Sequence, residues 1–378
     1  MKVVQVLPAL QGGGVERGTL EIAGALVAGG HESLVLSAGG RMVAELERSG
    51  SRHVTWPLGR KHPAVALEVR RLRRWLARAR PDILHVRSRV PAWLCWLAWR
   101  RMAQGQRPRF VTTLHGLHSV SPFSAVMARG ERVIVVSDTA KRYLLDNYVR
   151  PGAPALRRTR LTMDRVQRIY RGIDPSRYHR GYRPCDGWLA DWQRDFPILQ
   201  GRRMVLLSGR LTRLKGHEDF PILMEHLCER HPDAIGVVVG GEEERSRAYA
   251  ASIRDASPGI VFTGHRTDLR EIMAAASAVV SLSNRPESFG RVALEALSLG
   301  VPVVGYDHGG VAEILEQVFP EGRVPTGRPA EAANRLASMF DDEAGARSRI
   351  RDHDFTLQRM CRQTLALYEE LAANAWKR

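Results

Sequence analysis

Short runs of nearly unbroken apolar residues recur along the chain, and each leads into a longer segment of helical spacing. "KVVQVL", "SLVLS", "DILHV", "FVTTLH" and "RVIVVS" fall in the first half, and "MVLLSG", "IGVVVGG", "IVFTG", "AVVSLS" and "VPVVGY" in the second. An apolar run without alternation suits a parallel strand covered on both faces, because a half-exposed strand alternates polar and apolar residues. Strand-helix alternation through both halves predicts two doubly wound α/β domains.

The length of 378 residues agrees with two domains, at a guide of about 150 residues each. Apolar periodicity is lost in "IYRGIDPSRYHRGYRPCDG", residues 169–187, a stretch rich in Gly, Pro and Arg. The expected division is 1–175, 176–354 and a final helical segment, 355–378, in which Leu357, Met360, Cys361, Leu365, Tyr368 and Leu371 repeat at helical spacing. Cys95, Cys185, Cys228 and Cys361 form no CxxC pair, which argues against a zinc site or a disulfide framework and suits a reducing cytoplasm. The opening "MKVVQVLPAL" lacks the apolar core and cleavage site of a signal peptide. No apolar stretch approaches the roughly 20 residues that span a bilayer. A cytoplasmic protein without a spanning anchor is expected.

Two places carry candidate chemistry. After the first strand, "LPALQGGGVERGTL" opens a helix, where glycine backbone and a helix N-terminus suit a phosphate; a plain tight turn is the alternative. A dinucleotide fingerprint starting at Gly12 fails because Arg17 holds its sixth place, and the next strand ends without an acidic residue, so an NAD-dependent oxidoreductase is disfavoured. In the second half, "LLSGRLTRLKG" sets Arg210 and Lys215 on the loop after a strand, where two cations suit a diphosphate. "NRPESFGRVALEALSLG" then places Glu287 on a loop and Glu295 inside a helix that Gly300 ends. The helix N-terminus near Phe289 and Gly290 suits anionic oxygens, and an acceptor-only carboxylate at Glu295 suits paired hydroxyls such as those of a ribose. Taken singly, each glutamate reads more readily as a surface charge than as a site residue.

Together, "ESFGRVALE", "GRLTRLKG", "VVVGGEEE", "VFTGHRTDLREIMAAASAVVSLS", "LGVPVVGYDHGGVAEIL", "VIVVSDTAKRYL" and "IYRGIDPSRY" resemble the retaining nucleotide-sugar glycosyltransferases of family 4. That resemblance implies the GT-B fold: two Rossmann-like domains facing across a cleft, the first binding the acceptor and the second the donor. The last helix would return to the first domain. It implies that Arg210 and Lys215 hold the donor diphosphate, with Gly13 and Gly14 across the cleft, and that Glu295 binds the ribose. Glu287 would contact the transferred sugar beside the amides of Phe289 and Gly290, with Arg291 next to them. His115 in "TTLHG" matches a histidine near the donor sugar, with a structural histidine as the alternative, and His265 and Arg266 flank the base. Glu287, His115, Lys215 and Arg210 are thus the catalytic candidates. Ser288 stands where the family often has Gly.

The same resemblance implies retention by same-face attack, with the departing phosphate taking the acceptor's proton. No cofactor or metal is expected; the DxD match at Asp352–Asp354 reads as solvated loop. The chain carries 57 basic and 40 acidic side chains, a formal charge of +17, which favours an anionic partner. Arginine gathers in "EVRRLRRWLARARP", "RSRVPAWLCWLAWRRMAQGQRPR" and "RRTRLTMDRVQR", where Trp75, Trp93, Trp96 and Trp99 are interleaved with apolar residues. The expectation is attachment to the anionic inner face of the cytoplasmic membrane, with a glycan or lipid-linked acceptor in lipopolysaccharide or other envelope-glycan assembly. Core helices with solvated faces are the alternative. A sugar-nucleotide epimerase of similar fold is the nearest rival, and a nucleic-acid-binding protein, which is not expected, would explain the charge but not the ordered motifs.

Overall fold

The structure, a computed structural model, describes residues 1–57, 65–150, 152, 159, 161–242 and 244–373. It divides into two compact units, Met1–Gly172 with Leu357–Arg378, and Ile173–Thr356. The chain leaves and re-enters the second unit at one place. There Ile173 bridges Thr356 in parallel, and its N–H donates to the Phe355 carbonyl at 3.1 Å.

The first unit is built on β1 (Lys2–Val6), β2 (Glu32–Ser37), β3 (Arg52–Thr55), β4 (Ile83–Val86), β5 (Arg109–Leu114), β6 (Arg132–Val135) and β7 (Val166–Arg168). They form one sheet in the order β3-β2-β1-β4-β5-β6-β7, and every pairing is parallel. The apolar runs mark the strands buried on both faces: all four residues of Ile83–Val86 are buried. Helix α1 (Gly14–Ala28) turns Leu20, Ile22, Ala23 and Leu26 inward, the spacing of one helical face. The Ser137 hydroxyl caps α5 (Asp138–Tyr148) by accepting the Ala140 N–H at 2.9 Å. The final helix, α14 (Leu357–Ala373), packs Met360, Cys361, Leu367, Tyr368 and Leu371 into the same core as Val3, Ile22, Ile83 and Ile134. It is therefore part of the first unit; residues 374–378 of the expected final segment lie outside the described residues.

The second unit repeats the plan. Its strands are β8 (Arg203–Ser208), β9 (Ala234–Val239), β10 (Ile260–Gly264), β11 (Ala278–Ser281), β12 (Val303–Tyr306) and β13 (Arg323–Val324), in the parallel order β10-β9-β8-β11-β12-β13. Both sheets reverse direction of build beside their first strand, between β1 and β4 and between β8 and β11. In such sheets, loops leaving the strand ends diverge at that point and open a crevice.

Strands β3, β7 and β13 were absent from the sequence expectation. Each lies at a sheet edge and is short, "RHVT", "VQR" and "RV", so none carries the apolar run that marks a central strand. The indoles of the arginine-rich segments are packed within the first unit. Trp56 meets Trp75 edge-on at 6.1 Å and Trp99 lies 5.5 Å from Phe110. Trp93 donates to the Phe123 carbonyl at 2.8 Å and Trp99 to that of Pro108 at 2.7 Å. Of the third arginine segment, residues 157, 158 and 160 lie outside the described residues.

Candidate active site

The loops after β8 and β11 meet at the second unit's reversal point. Lys215, on the first, donates from Nζ to Glu287 Oε1, on the second, at 2.8 Å. Both side chains stay partly open, 29% and 27% exposed. The Ser283 hydroxyl donates to the same carboxylate oxygen, and His308 Nε2 donates to the Ser283 carbonyl at 2.7 Å. Burial alone would favour the neutral acid at Glu287. The Lys215 charge and hydrogen bonds from Lys215 and Ser283 outweigh it, with a smaller contribution from His308, and hold the carboxyl below its usual range.

Backbone contacts fix these loops. Gly216 has φ +71, and a Cβ there would lie 1.8 Å from the Leu282 carbonyl oxygen, so only glycine lets the Lys215 loop pass against the β11 loop. Beside it His217 is 1% exposed; burial pushes its pKa down to about 4, against the opposing pull of the Thr212 and Gly209 backbone. Gly290, at φ 90, caps α10 (Arg291–Ser298) in the left-handed conformation. The Gly310 N–H donates to the Glu287 carbonyl at 2.8 Å, which fixes the backbone on either side of the acid.

The other expected residues of the second unit each have their own setting. Arg210 is exposed on the β8 loop. Phe289 is buried and meets Phe355 edge-on at 6.1 Å, so its ring is a packing element. Glu295 is 7% exposed and accepts from Arg291 Nε at 2.7 Å, one turn along α10. Arg266 is bound through Nε and Nη2 to Asp268 at 2.9 and 2.7 Å and lies over Trp192, while His265 is exposed beside Gly241. Asp268 also accepts from Trp188 at 2.8 Å; burial works against its charge, and the Arg266 and Trp188 hydrogen bonds prevail to keep its pKa low. Asp352 pairs with Arg180 at 3.1 Å and His353 with Ser298 at 2.7 Å, so two members of the DxD stretch are engaged by protein groups. Among the described residues, no group of three or more His, Cys, Asp and Glu is placed to hold a metal ion.

In the first unit Gly13 and Gly14 lead into α1 at the end of β1, and the Gly14 carbonyl accepts from Arg171 Nη2 at 2.6 Å. His115 follows β5. Burial, then the nearby charges of Arg171 and Arg87, hold its pKa well below the ordinary histidine value, so it is neutral at pH 7. Sequence reasoning missed Ser283, His308 and Arg171. His308 alone carried a signal, in the glycine-rich "GYDHGG" that follows a strand.

A basic group and a carboxylate are thus paired at the reversal point of one of two parallel α/β sheets, the place where such sheets bind ligands. The family model described as "Glycosyltransferase Family 4" matches residues 12–177, and that described as "Glycosyl transferases group 1" matches 190–354. The chain is 24% identical to the spore coat protein SA of Bacillus subtilis, with 96% of each chain covered. Its fold is similar to that of a glycosyltransferase from Rickettsia africae (TM-score 0.81, 24% identity, 98% of each chain covered). It is also similar to HepE of Anabaena in complex with UDP and glucose (TM-score 0.78, 20% identity, 98% and 99% covered). The chain belongs to the family 4 glycosyltransferases and has the GT-B fold. It is a glycosyltransferase.

Proposed function

We propose that this glycosyltransferase takes a hexose-type sugar from a nucleoside diphosphate sugar, UDP before GDP, and transfers it with retention to a glycan or lipid-linked acceptor. The observation that carries the reading is the Lys215–Glu287 pair at 2.8 Å at the sheet's reversal point. Lys215, with Arg210 on the same loop, meets the diphosphate, where fixed cations stabilise the charge that grows on the leaving group. Glu287 orients the sugar, and Glu295 binds the ribose. His115, neutral by its surroundings, lies beside the donor sugar with Gly13 and Gly14, and His265 flanks the base. The Arg266–Asp268 pairing makes Arg266 a wall of that loop. A complex of HepE with UDP and glucose, on a similar fold, supports UDP as the first donor to try.

In this reading the bond from the anomeric carbon to the phosphate oxygen breaks, and its electron pair stays on that oxygen. The acceptor oxygen attacks from the same face, and its proton passes to the departing phosphate. A double displacement needs two carboxylates flanking the bond at about 5 Å, and Glu295, turned to Arg291 within its helix, is not set for that. No metal is invoked, because the cationic loop supplies the counter-charge. Attachment to an anionic membrane face, where envelope-glycan assembly would take place, is supported by the arginines of α3 (Val65–Ala79): Arg70, Arg71, Arg74 and Arg78 are exposed while Val69, Leu72 and Leu76 are buried.

Incubation with UDP-, GDP- and ADP-sugars, followed for nucleotide release, tests the reading. The wild type is expected to release nucleotide from a UDP-sugar fastest. The double variant Arg210→Ala/Lys215→Ala is expected to have no measurable turnover and an unchanged circular dichroism spectrum. Normal turnover in that variant means the site has been assigned to the wrong loops.

A further inference from the structure

In the first unit, α3 and α4 (Arg89–Arg100) pack side by side and leave a groove of about 580 Å³. Sites that hold small molecules have roughly 300–1,000 Å³. One side of the groove is apolar, made by Val65, Ala66, Val69 and Leu97. Val69 is buried and Val65 is 45% exposed, so this side runs from the core out to solvent. The rest of the lining is Arg70, Arg73 and Arg101.

Among the described residues no carboxylate answers these three arginines. Arg73 donates to the Arg101 carbonyl at 3.3 Å, and Arg101 to that of Leu97 at 3.0 Å. Glu68 of α3 is already engaged: Trp56 Nε1 donates to it at 3.0 Å, and Arg71 lies 3.9 Å from it. Asp82, the other acid within residues 65–109, accepts from the Lys2 N–H at 2.7 Å. Residues 58–64 lie outside the described residues, and their sequence, "LGRKHPA", contains no acid. Cations beside an apolar wall suit a ligand that is anionic at one end and apolar along the rest. The guanidinium fork matches phosphate oxygens, and the arginine stems extend the apolar wall. No hydroxyl, amide or carboxylate side chain lines the groove, so the hydroxyls of a sugar or the edge of a base would find few partners there.

We propose that this groove binds one anionic phospholipid, with its phosphate among Arg70, Arg73 and Arg101 and an acyl chain along Val65, Ala66, Val69 and Leu97. The proposal rests on the attachment to an anionic membrane face given above and adds to it a single bound molecule. Attachment by charge alone needs only exposed arginines, whereas the groove also needs its apolar wall.

Isothermal titration of the full-length protein with dihexanoyl phosphatidylglycerol, kept below its micelle concentration, tests the groove. Binding at one site per chain is expected. Dihexanoyl phosphatidylcholine, whose choline cation offsets its phosphate, is expected to bind about tenfold more weakly or worse, as are inorganic phosphate and a polyglutamate peptide. Ala66→Glu sets a carboxylate on an exposed part of the wall, and Arg73→Gln/Arg101→Gln removes two cations. Each variant is expected to weaken phosphatidylglycerol binding by about tenfold or more, with an unchanged circular dichroism spectrum. Arg78→Gln, exposed on the same helix but outside the groove, is expected to bind as the wild type does. No binding of phosphatidylglycerol, equal binding of any of the other three probes, or unchanged affinity in either groove variant overturns the proposal. Sedimentation with phosphatidylglycerol vesicles, measured in parallel, separates the two readings. Vesicle binding without binding of the monomeric lipid sinks the groove and leaves the attachment. Binding of the monomeric lipid without vesicle binding sinks the attachment and leaves the groove.

Discussion

Glu287 and Glu295 share one short stretch of chain but not one environment. Glu287 stands on a loop, held by Lys215 and Ser283 and open to solvent on one side. Glu295 is closed into α10 against Arg291. If Glu295 binds the ribose, its hydrogen bonds exist equally before and during bond breaking, so its loss is a loss of uniform binding. Glu295→Gln, which spares the packing, is expected to raise the donor KM about tenfold with little change in kcat. If Glu287 acts beside the breaking bond, positioning by it counts in the transition state. Glu287→Gln is expected to lower kcat about a hundredfold or more while affinity for free UDP stays near that of the wild type. Steady-state kinetics with a UDP-sugar and titration with UDP check both. The reverse pattern means the two roles are exchanged.

At the scale of elements, the site depends on two loops passing in contact. Gly216→Ala sets a Cβ against the Leu282 carbonyl and forces a non-glycine residue to φ +71. It is expected to destabilise the protein by about 2 kcal/mol or more and to lower turnover with it. Gly187→Ala is the contrast: it lies in an exposed turn of α6 (Asp186–Asp195), with nothing within 4 Å of a new Cβ, and is expected to stabilise by about 0.5–1 kcal/mol. Chemical denaturation of both variants measures the difference. The same loops show what the chain's order reveals and what it hides. The central strands were legible because burial on both faces demands apolar runs, whereas β3, β7 and β13 at the edges need none. Lys215 and Glu287 were each legible as loop residues after a strand. Their meeting was legible only through the family resemblance, since β9 and β10 intervene in sequence and only the strand order brings β8 beside β11. Arg171 was silent for a similar reason: its partner Gly14 lies 157 positions away.

At the scale of the molecule, the charge of +17 has to be reconciled with an ordinary α/β core. Several arginines are engaged by aromatic rings and carboxylates of the protein itself. Arg129 lies over Trp96 at 4.1 Å, Arg107 over Trp99 at 5.0 Å, and Arg266 is bound to Asp268. These stack and brace, and Trp96 and Trp99 are held by such contacts within the first unit. No described helix is long and apolar enough to cross a membrane. Among the exposed arginines, those on the outer face of α3 follow one another at helical spacing above a buried Val69–Leu72–Leu76 stripe. Each cation held near an anionic leaflet gains about 1 kcal/mol, and salt screens that gain. The purified protein is therefore expected to sediment with vesicles containing phosphatidylserine and to be released as salt rises. Charge reversal at Arg70, Arg71 and Arg74 is expected to weaken that binding more than reversal at Arg359 and Arg362 on α14. Equal binding to neutral vesicles would assign the attachment to apolar contact, and binding that survives the α3 reversals would move it to another face.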